Sequence, residues 1–297
     1  MSLAQPPTLS IITPSYNQGP FIAATIDSVL SQEGDFHLDY LVMDGGSADN
    51  SPAIIQRYDE DLKSGRIKPR CRSITYRWCS QRDGGQVDAI EKGFALATGQ
   101  IAAWLNSDDI YPHAQVLSKV VSEFAQDPDL QVLTADGLLI DRQGHEFGVH
   151  HVDRLDFVEL LYLDYHILQP ATFLRDSVYQ NERLDRSYSY CFDSEYFIRL
   201  IDKKYRLKKL DDRLACFRIY PEIKTLSGLE KRYRESLRIS RKYDHTYLKL
   251  WRLSVSAIYK YWDIVLRNRY SKYPQVEKGY RRIQPFAYQM ILGRAGR

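Results

Sequence analysis

Two adjacent acids, Asp108 and Asp109, come two residues after an apolar run at residues 101–105, with Asn106 and Ser107 between. An apolar strand ends where such residues begin, because a carboxylate does not enter a core without a partner. Two neighbouring carboxylates also repel each other unless positive charge lies beside them. Mg²⁺ is typically held by one or two carboxylates together with substrate phosphates. The pair therefore predicts a divalent cation bound with a phosphate-bearing ligand; the alternative is a loop with two solvated acids.

Three upstream apolar segments also end in polar or glycine-rich turns. The four strands are predicted at residues 9–12, 40–43, 74–79 and 101–105. The turns after the first three are TPSYN at 13–17, DGGS at 44–47 and DGG at 83–85. Predicted helices separate the strands, and this alternation is typical of βα units with a mostly parallel sheet. Because ligands bind at the carboxyl ends of strands in such domains, all four turns are expected to line one cleft.

Beyond residue 112 the alternation is less regular. A strand at 132–140 followed by a turn at 142–144 predicts a hairpin. Two helices and a strand are predicted further on, at 155–163, 194–201 and 214–219.

The composition, with 44% hydrophobic and 27% charged residues, describes a soluble globular protein. The sequence has no run of about 18 apolar residues, so no membrane-spanning helix is expected, and its first ten residues lack a secretory-signal pattern. The four cysteines have no CxxC spacing, which favours free thiols in a reducing compartment. We therefore expect a cytoplasmic protein.

The C-terminal segment, residues 231–297, is strongly basic. It contains 17 lysines and arginines against four acids, interleaved with tyrosine and tryptophan, whereas the whole chain has a net charge of +3. Three interpretations are open. The segment packs as helices with a solvated basic face, docks on anionic lipid at the inner face of the plasma membrane, or binds nucleic acid.

The ordered motifs resemble those of family 2 glycosyltransferases, particularly bacterial enzymes that build surface polysaccharides. They are TPSYN at 13–17, DGGSADNS at 44–51, DGGQVDAIEKGFALATG at 83–99 and AWLNSDD at 103–109. The resemblance covers residues 8–225. It implies the GT-A fold, a Rossmann-like α/β architecture whose mostly parallel central sheet is flanked by helices. It also implies inverting transfer of a sugar from a nucleoside diphosphate sugar to a hydroxyl of a glycan or lipid-linked glycan. UDP is the favoured nucleotide of the donor, and dTDP and GDP are left open.

This resemblance predicts a domain organisation. The catalytic GT-A domain would comprise residues 1–229, with nucleotide-sugar binding at 8–110 and acceptor binding at 111–229. Residues 230–297 would form a basic, tyrosine-rich helical extension.

The resemblance also implies roles in donor binding. The predicted nucleoside contacts are Thr13, Pro14, Tyr16, Asp44, Asp83 and, at the ribose, Asp108. Asp109 would ligate Mg²⁺ or Mn²⁺, which neutralises charge on the departing nucleoside diphosphate. A carboxylate such as Asp44 can accept from a ring N–H of a base; the alternative is a turn former before two glycines. Lys92 is either a phosphate contact or an ordinary exposed lysine.

Residues 193–200 match the family pattern D-x-[DE]-x-x-x-R-L, in which the first acid is the general base. Asp193 is therefore the candidate base, and a helix N-terminus stabilises its ionised form. The alternative is that Asp193 is a plain N-cap. Two residues depart from the family: Phe192 stands where an acid is usual, and Tyr220 where many relatives have histidine. Since tyrosine is a poor Mg²⁺ ligand, Asp109 is expected to be the metal's only protein ligand.

Two later segments resemble the acceptor side of the family, HILQPATF at 166–173 and CFRIYPEIKT at 216–225. Gln169 and Arg218 are the predicted acceptor contacts. Other functions stay open on the sequence alone: a catalytically weak nucleotide-sugar-binding module, a nucleotidyltransferase or a nucleic-acid binder. A nucleotidyltransferase would normally have a basic glycine-rich phosphate loop early in the chain, and none is visible near Thr13.

Overall fold

The computed structural model describes residues 5–152, 155–162, 167–224 and 228–244. The chain divides into two compact units. The first comprises Met1–Val152, Leu168–Arg186 and Tyr205–Tyr220, and the second comprises Asp153–Ile167, Ser187–Lys204 and Pro221–Arg297. His166 and the basic segment from residue 245 onward lie outside the described residues. The predicted domain boundary at 229/230 stays a prediction.

A mixed sheet forms the core of the first unit. Its strands in the described ranges are β1 (Thr8–Ser15), β2 (Glu33–Asp44), β3 (Arg70–Ser80), β4 (Ile101–Trp104), β5 (Val132–Ile140), β6 (Glu146–His150), β7 (Thr172–Arg175) and β8 (Leu207–Arg218). The strand order is β3-β2-β1-β4-β7-β5-β6, and β8 pairs with β5. Strands β3, β2, β1 and β4 are mutually parallel, whereas β7 is antiparallel to β4 and β5. The predicted α/β architecture, with a central sheet mostly parallel at its core, is confirmed.

Helices flank this sheet and also make up the described part of the second unit. In chain order they are α1 (Ile22–Leu30), α2 (Ser51–Lys63), α3 (Gln86–Leu96), α4 (Val116–Gln126), α5 (Phe157–Tyr162), α6 (Asp176–Tyr179), α7 (Phe192–Asp202) and α8 (Leu229–Tyr243). Of these, α5, α7 and α8 belong to the second unit. The predicted hairpin is also present, since β5 and β6 pair antiparallel. No helix in the described part of the chain is long and apolar enough to cross a membrane.

Helix α3 packs closely on the strand that leads into the predicted cleft. A Cβ at Gly93 would lie 2.4 Å from Cγ2 of Ile12, so only glycine allows this approach. The helix ends at Leu96, not at Gly99. A Cβ at Gly99 would lie 2.6 Å from the backbone nitrogen of Ser10. Gly99 therefore serves close backbone contact and does not cap the helix.

Candidate active site

The ends of β1 and β2 are joined by a hydrogen-bonded network. Ser15 and Asp44 are register partners at the carboxyl ends of these parallel strands. The backbone N–H of Asn17 donates to Ser47 Oγ at 2.8 Å, and the N–H of Ala48 donates to Asn17 Oδ1 at 2.9 Å. Asn17 has a φ of 53°, a left-handed conformation that asparagine tolerates better than most residues. The two predicted donor-binding turns are thus fixed to each other.

The Asp44 carboxylate is only 1% exposed and organises this network. Its Oδ2 accepts from the backbone N–H groups of Gly46 (3.1 Å) and Ser47 (2.9 Å) and from Ser80 Oγ (2.6 Å). Its Oδ1 accepts from Ser47 Oγ at 2.5 Å. A carboxylate has about four lone-pair positions on its two oxygens. Oδ1 accepts only one of these bonds, so its second lone pair can accept from a ligand.

A cleft beside Asp44 brings together three predicted donor-binding residues. Its lining residues are Met43, Asp44, Cys79, Gln81, Asp83, Ala89 and Lys92. Asp83 accepts from the N–H of Gly85 at 2.7 Å, and its carboxylate lies against Gly45, where a Cβ would be 3.0 Å from Oδ2. The Lys92 ammonium pairs with Asp88 at 2.9 Å, and that bond raises its pKa. Lys92 therefore stays charged at the rim of the cleft, with one partner already in place.

The three predicted contacts on the first turn differ in accessibility. Tyr16 is 63% exposed, so its ring is free to stack on a planar base. Thr13 is fully buried, and its hydroxyl lies 3.1 Å from the Tyr40 hydroxyl. Pro14 is buried as well. Of the three side chains, the structure presents Tyr16 to solvent and places Thr13 and Pro14 in the packing beneath the turn.

The acidic pair after β4 is held from several directions. The Asp109 carboxylate is 1% exposed; its Oδ1 accepts from the Arg218 N–H at 3.0 Å, and its Oδ2 from Asn106 Nδ2 at 3.3 Å. The Asp109 carbonyl accepts from Thr25 Oγ1 at 2.8 Å. Asp108 is half-buried, and its Oδ2 accepts from the Tyr220 hydroxyl at 2.9 Å. Asp108 therefore carries the more accessible of the two carboxylates.

The electrostatics of the pair fit a divalent cation. Burial and the neighbouring Asp108 raise the pKa of Asp109 well above its usual range, and burial also raises the pKa of Asp108. A divalent cation would offset the repulsion between the two carboxylates and favour their ionised forms. Mg²⁺ and Mn²⁺ both prefer oxygen ligands. Within the described ranges, no group of three or more His, Cys, Asp or Glu residues could hold a metal ion. A site here would thus need the substrate phosphates as further ligands.

The predicted acceptor contacts are both buried in protein interactions. Gln169 is 5% exposed, donates to the Trp104 carbonyl and accepts from Asn106 Nδ2 at 3.0 Å. Arg218 is 4% exposed, and its guanidinium donates to the Asp108 carbonyl at 2.8 Å and to two carbonyls of the hairpin turn. Both side chains brace the acidic pair, and their contact with an acceptor stays a prediction.

Asn106 and Tyr220 are parts of the site that sequence reasoning did not assign. Asn106 connects Asp109 to Gln169, and its Oδ1 accepts from Gln86 Nε2 at 2.9 Å. Tyr220, noted only as a departure from the family, bonds Asp108 and packs on Phe21 with ring centroids 4.9 Å apart. The position of Asn106 within the NSDD motif was the available signal for its role.

Asp193 lies in the second unit, in the first turn of α7. The N-cap of this helix is Cys191, so the alternative that Asp193 is the N-cap is not what the structure shows. Its carboxylate is half-buried and accepts from the N–H of Ser194 at 2.7 Å. Phe192, the departure from the family pattern, is 5% exposed and packs as an apolar residue.

Sequence comparisons identify the class of protein. The family model described as glycosyl transferase family 2 matches residues 10–166, which is more than half of the chain. An uncharacterized glycosyltransferase of Nostoc sp. is 33% identical over 117 residues, which are 39% of this chain and 32% of the relative. A PGL/p-HBAD biosynthesis glycosyltransferase of Mycobacterium bovis is 30% identical over 152 residues, 51% of this chain and 55% of the relative. The chain thus spans between a third and just over half of these relatives.

Solved structures support the fold independently. The S. aureus TarS fragment 1–349 in complex with UDP-GlcNAc superposes with a TM-score of 0.61 at 15% identity, covering 96% of this chain and 81% of the fragment. The mannosyltransferase PcManGT of Pyrobaculum calidifontis, bound to GDP-Man and Mn²⁺, gives 0.61 at 15% identity, covering 97% and 87%. The GT-A fold is confirmed. The chain belongs to glycosyl transferase family 2.

Proposed function

We propose that this protein transfers a sugar from a nucleoside diphosphate sugar, with inversion, to a hydroxyl of a glycan or lipid-linked glycan in polysaccharide biosynthesis. One observation carries the proposal. Asp44, Asp83 and the Asp108–Asp109 pair follow β2, β3 and β4, which are three of the four parallel strands in the order β3-β2-β1-β4, at the carboxyl edge of one sheet. Family membership supplies the reaction class, and this edge supplies acids where a nucleoside and a diphosphate would bind.

The donor-binding steps follow from the geometry of the first unit. Asp44 Oδ1 has capacity to accept a ring N–H, as on uracil, and the exposed Tyr16 ring offers a stacking face. Thymine and guanine also have a ring N–H, so UDP is favoured as the nucleotide only because the family often uses it. Asp108 would bind the ribose hydroxyls. Beside it, the Asp109 carboxylate is fixed by the backbone N–H of Arg218 and by Asn106. A Mg²⁺ or Mn²⁺ ion held at this pair, with Asp109 as the predicted ligand, would stabilise the charge on the leaving diphosphate.

The acceptor step is assigned to Asp193. Its carboxylate takes the proton from the acceptor hydroxyl as the oxygen attacks the anomeric carbon. The bond from that carbon to the diphosphate oxygen breaks at the same time, and the electron pair leaves with the nucleoside diphosphate. A single displacement inverts the anomeric centre. Asn17, Ser47 and Ser80 keep the donor turns in place, so the nucleoside is held while this exchange occurs.

A nucleotide panel with and without Mn²⁺ tests the donor and the metal together. UDP is expected to raise the melting temperature more than GDP, dTDP or CDP, and more with Mn²⁺ than without it. A ligand at one hundred times its Kd stabilises the folded state by about 2.7 kcal/mol. Asp109→Asn should lose the Mn²⁺-dependent part. Asp129→Asn is the control, because Asp129 is 84% exposed and distant in sequence.

The outcomes separate the open functions. Nucleotide binding without turnover of any donor sugar would indicate a binding module, and equal stabilisation by all four nucleotides would refute the base preference. We propose a cytoplasmic location. Contact with the inner face of the plasma membrane is one proposed role of the basic segment 231–297, and packing on the catalytic domain is the alternative. Co-sedimentation with phosphatidylserine vesicles tests that contact, and nucleic acid is not a proposed partner.

A further inference from the structure

The carboxylate of Glu235, on α8, collects three consecutive backbone N–H groups. Oε1 accepts from Ser189 at 2.9 Å, and Oε2 accepts from Tyr190 at 2.8 Å and Cys191 at 2.9 Å. The side chain is 6% exposed. Hydrogen bonds to an ionised, buried carboxylate are roughly twice as strong as neutral ones. The chain segment 189–191 is therefore fixed by an acid that is 44 to 46 positions away in sequence.

This segment leads directly into helix α7. Cys191 is the N-cap, Phe192 begins the helix and Asp193 is its second residue. The N–H groups that Glu235 binds thus belong to the residues immediately before the candidate base. Any shift of the segment moves Asp193, because only one residue lies between Asp193 and the last bonded amide.

Other contacts from α8 reinforce the same segment. Lys231 Nζ donates to Ser189 Oγ at 3.1 Å, and Arg238 donates to the Ser187 carbonyl at 2.8 Å. The Arg238 guanidinium lies 3.7 Å from the centroid of the Tyr188 ring. Both cations are exposed, so water can take the place of these contacts when they are lost. Glu235 is the buried member of this set and so the one expected to control the position.

The body of α7 is fixed to α8 by a second buried acid. Glu195 is fully buried and accepts from Lys242 Nζ at 2.8 Å and from the Tyr243 hydroxyl. Arg199, one turn along α7, lies 3.3 Å from the same carboxylate. With the helix body held by Glu195, the loop that Glu235 binds sets how the first turn begins.

We propose that Glu235 is a positioning residue for Asp193, so that the start of the basic C-terminal segment belongs to the catalytic apparatus. The proposal rests on the function assigned to Asp193 above. A displacement of about 1 Å at a catalytic group can reduce the rate about 100-fold. Glu235 is not proposed to contact donor or acceptor; it acts through the backbone of residues 189–191.

The direct test is hydrogen–deuterium exchange on the full chain. Glu235→Gln keeps the shape but replaces one accepting oxygen by an amide that donates toward an N–H. We expect exchange at residues 189–191 to accelerate at least tenfold in Glu235→Gln and more in Glu235→Ala. Glu230→Gln, on the same helix, is the matched control, because Glu230 is 78% exposed. Equal protection in the two glutamine variants would overturn the proposal.

The functional test uses hydrolysis of UDP-GlcNAc and of GDP-mannose, with water as the acceptor, and the UDP melting shift. Asp193→Asn is expected to lower kcat about 100-fold and to leave the UDP shift unchanged. Glu235→Gln should lower kcat at least tenfold with KM unchanged. In the Asp193→Asn background, Glu235→Gln should lower kcat less than threefold, because the carboxylate that it positions is already absent.

The two assignments fail in different ways. Full activity of Asp193→Asn would refute the base, and with it the role given to Glu235. A large loss in Asp193→Asn with no loss in Glu235→Gln would refute the positioning role alone. The same loss from Glu235→Gln in both backgrounds, or a UDP shift that falls with kcat, would mean a purely structural role and would also refute it.

Discussion

Replacing Tyr220 by phenylalanine should weaken donor binding without unfolding the first unit. The change removes the hydroxyl that donates to Asp108 Oδ2 and keeps the ring that packs on Phe21. A hydrogen bond to a charged group contributes roughly 1.5–3 kcal/mol. Because Asp108 is half-buried, water replaces part of that loss, and about 1.4 kcal/mol remains as the expected cost. This corresponds to a tenfold rise in the Kd for UDP.

The expected loss of UDP affinity follows from the charge on Asp108. Burial raises the pKa of this carboxyl, and the hydroxyl of Tyr220 acts against that shift by stabilising the ionised form. Without the hydroxyl, a larger fraction of Asp108 is protonated, and its carboxylate is no longer fixed for the ribose. Isothermal titration of UDP in saturating Mn²⁺ measures the effect.

Tyr111→Phe is the matched control for this experiment. Tyr111 is 4% exposed, and its hydroxyl has no hydrogen-bond partner within the described part of the chain. Its removal should leave UDP affinity unchanged. Wild-type affinity in Tyr220→Phe, or an equal loss in both variants, would refute the role of the Tyr220–Asp108 bond in donor binding.

Three further predictions use other parts of the chain. UDP should slow alkylation of Cys79, which lines the cleft, and not of Cys71 at the opposite end of the same strand, as measured by peptide mass spectrometry. Gly93→Ala should destabilise the protein by about 1–3 kcal/mol in urea unfolding, because the new methyl meets Ile12 at 2.4 Å in a packed core. Deletion of residues 245–297, which spares Glu235, should weaken binding to phosphatidylserine vesicles and leave the UDP melting shift intact; unchanged vesicle binding would refute the membrane contact.

The first four strands could be predicted because each is an apolar run that ends in a turn. Pairing with a neighbouring strand, however, can extend a strand beyond its apolar residues. β8 begins at Leu207, in the charged stretch LKKLDDR, because parallel pairing with β5 satisfies its backbone there. The prediction began that strand at 214. Helix α4 was missed although Val116, Val120 and Phe124 recur at helical spacing.

The site was predictable by residue type and less so by side-chain direction. Asp44 and Asp83 do line one cleft, as their places after the neighbouring strands β2 and β3 imply, and Lys92 of α3 lines it with them. Arg218 and Gln169 were assigned to the acceptor because their segments resemble the acceptor side of the family. Their burial depends on packing against β4 and the hairpin turn, which lie more than 60 positions away in sequence. A one-dimensional pattern carries no information on such contacts.

The bond between Glu235 and residues 189–191 also has a consequence during protein synthesis. The three amides leave the ribosome about 45 residues before their acceptor does. At about 5–20 residues per second, that interval is roughly two to nine seconds. A chain that stops short of residue 235, through a nonsense codon or a protease, still contains every strand of the described sheet. Such a fragment would keep the acids proposed for donor binding and would lack the bond proposed to position Asp193.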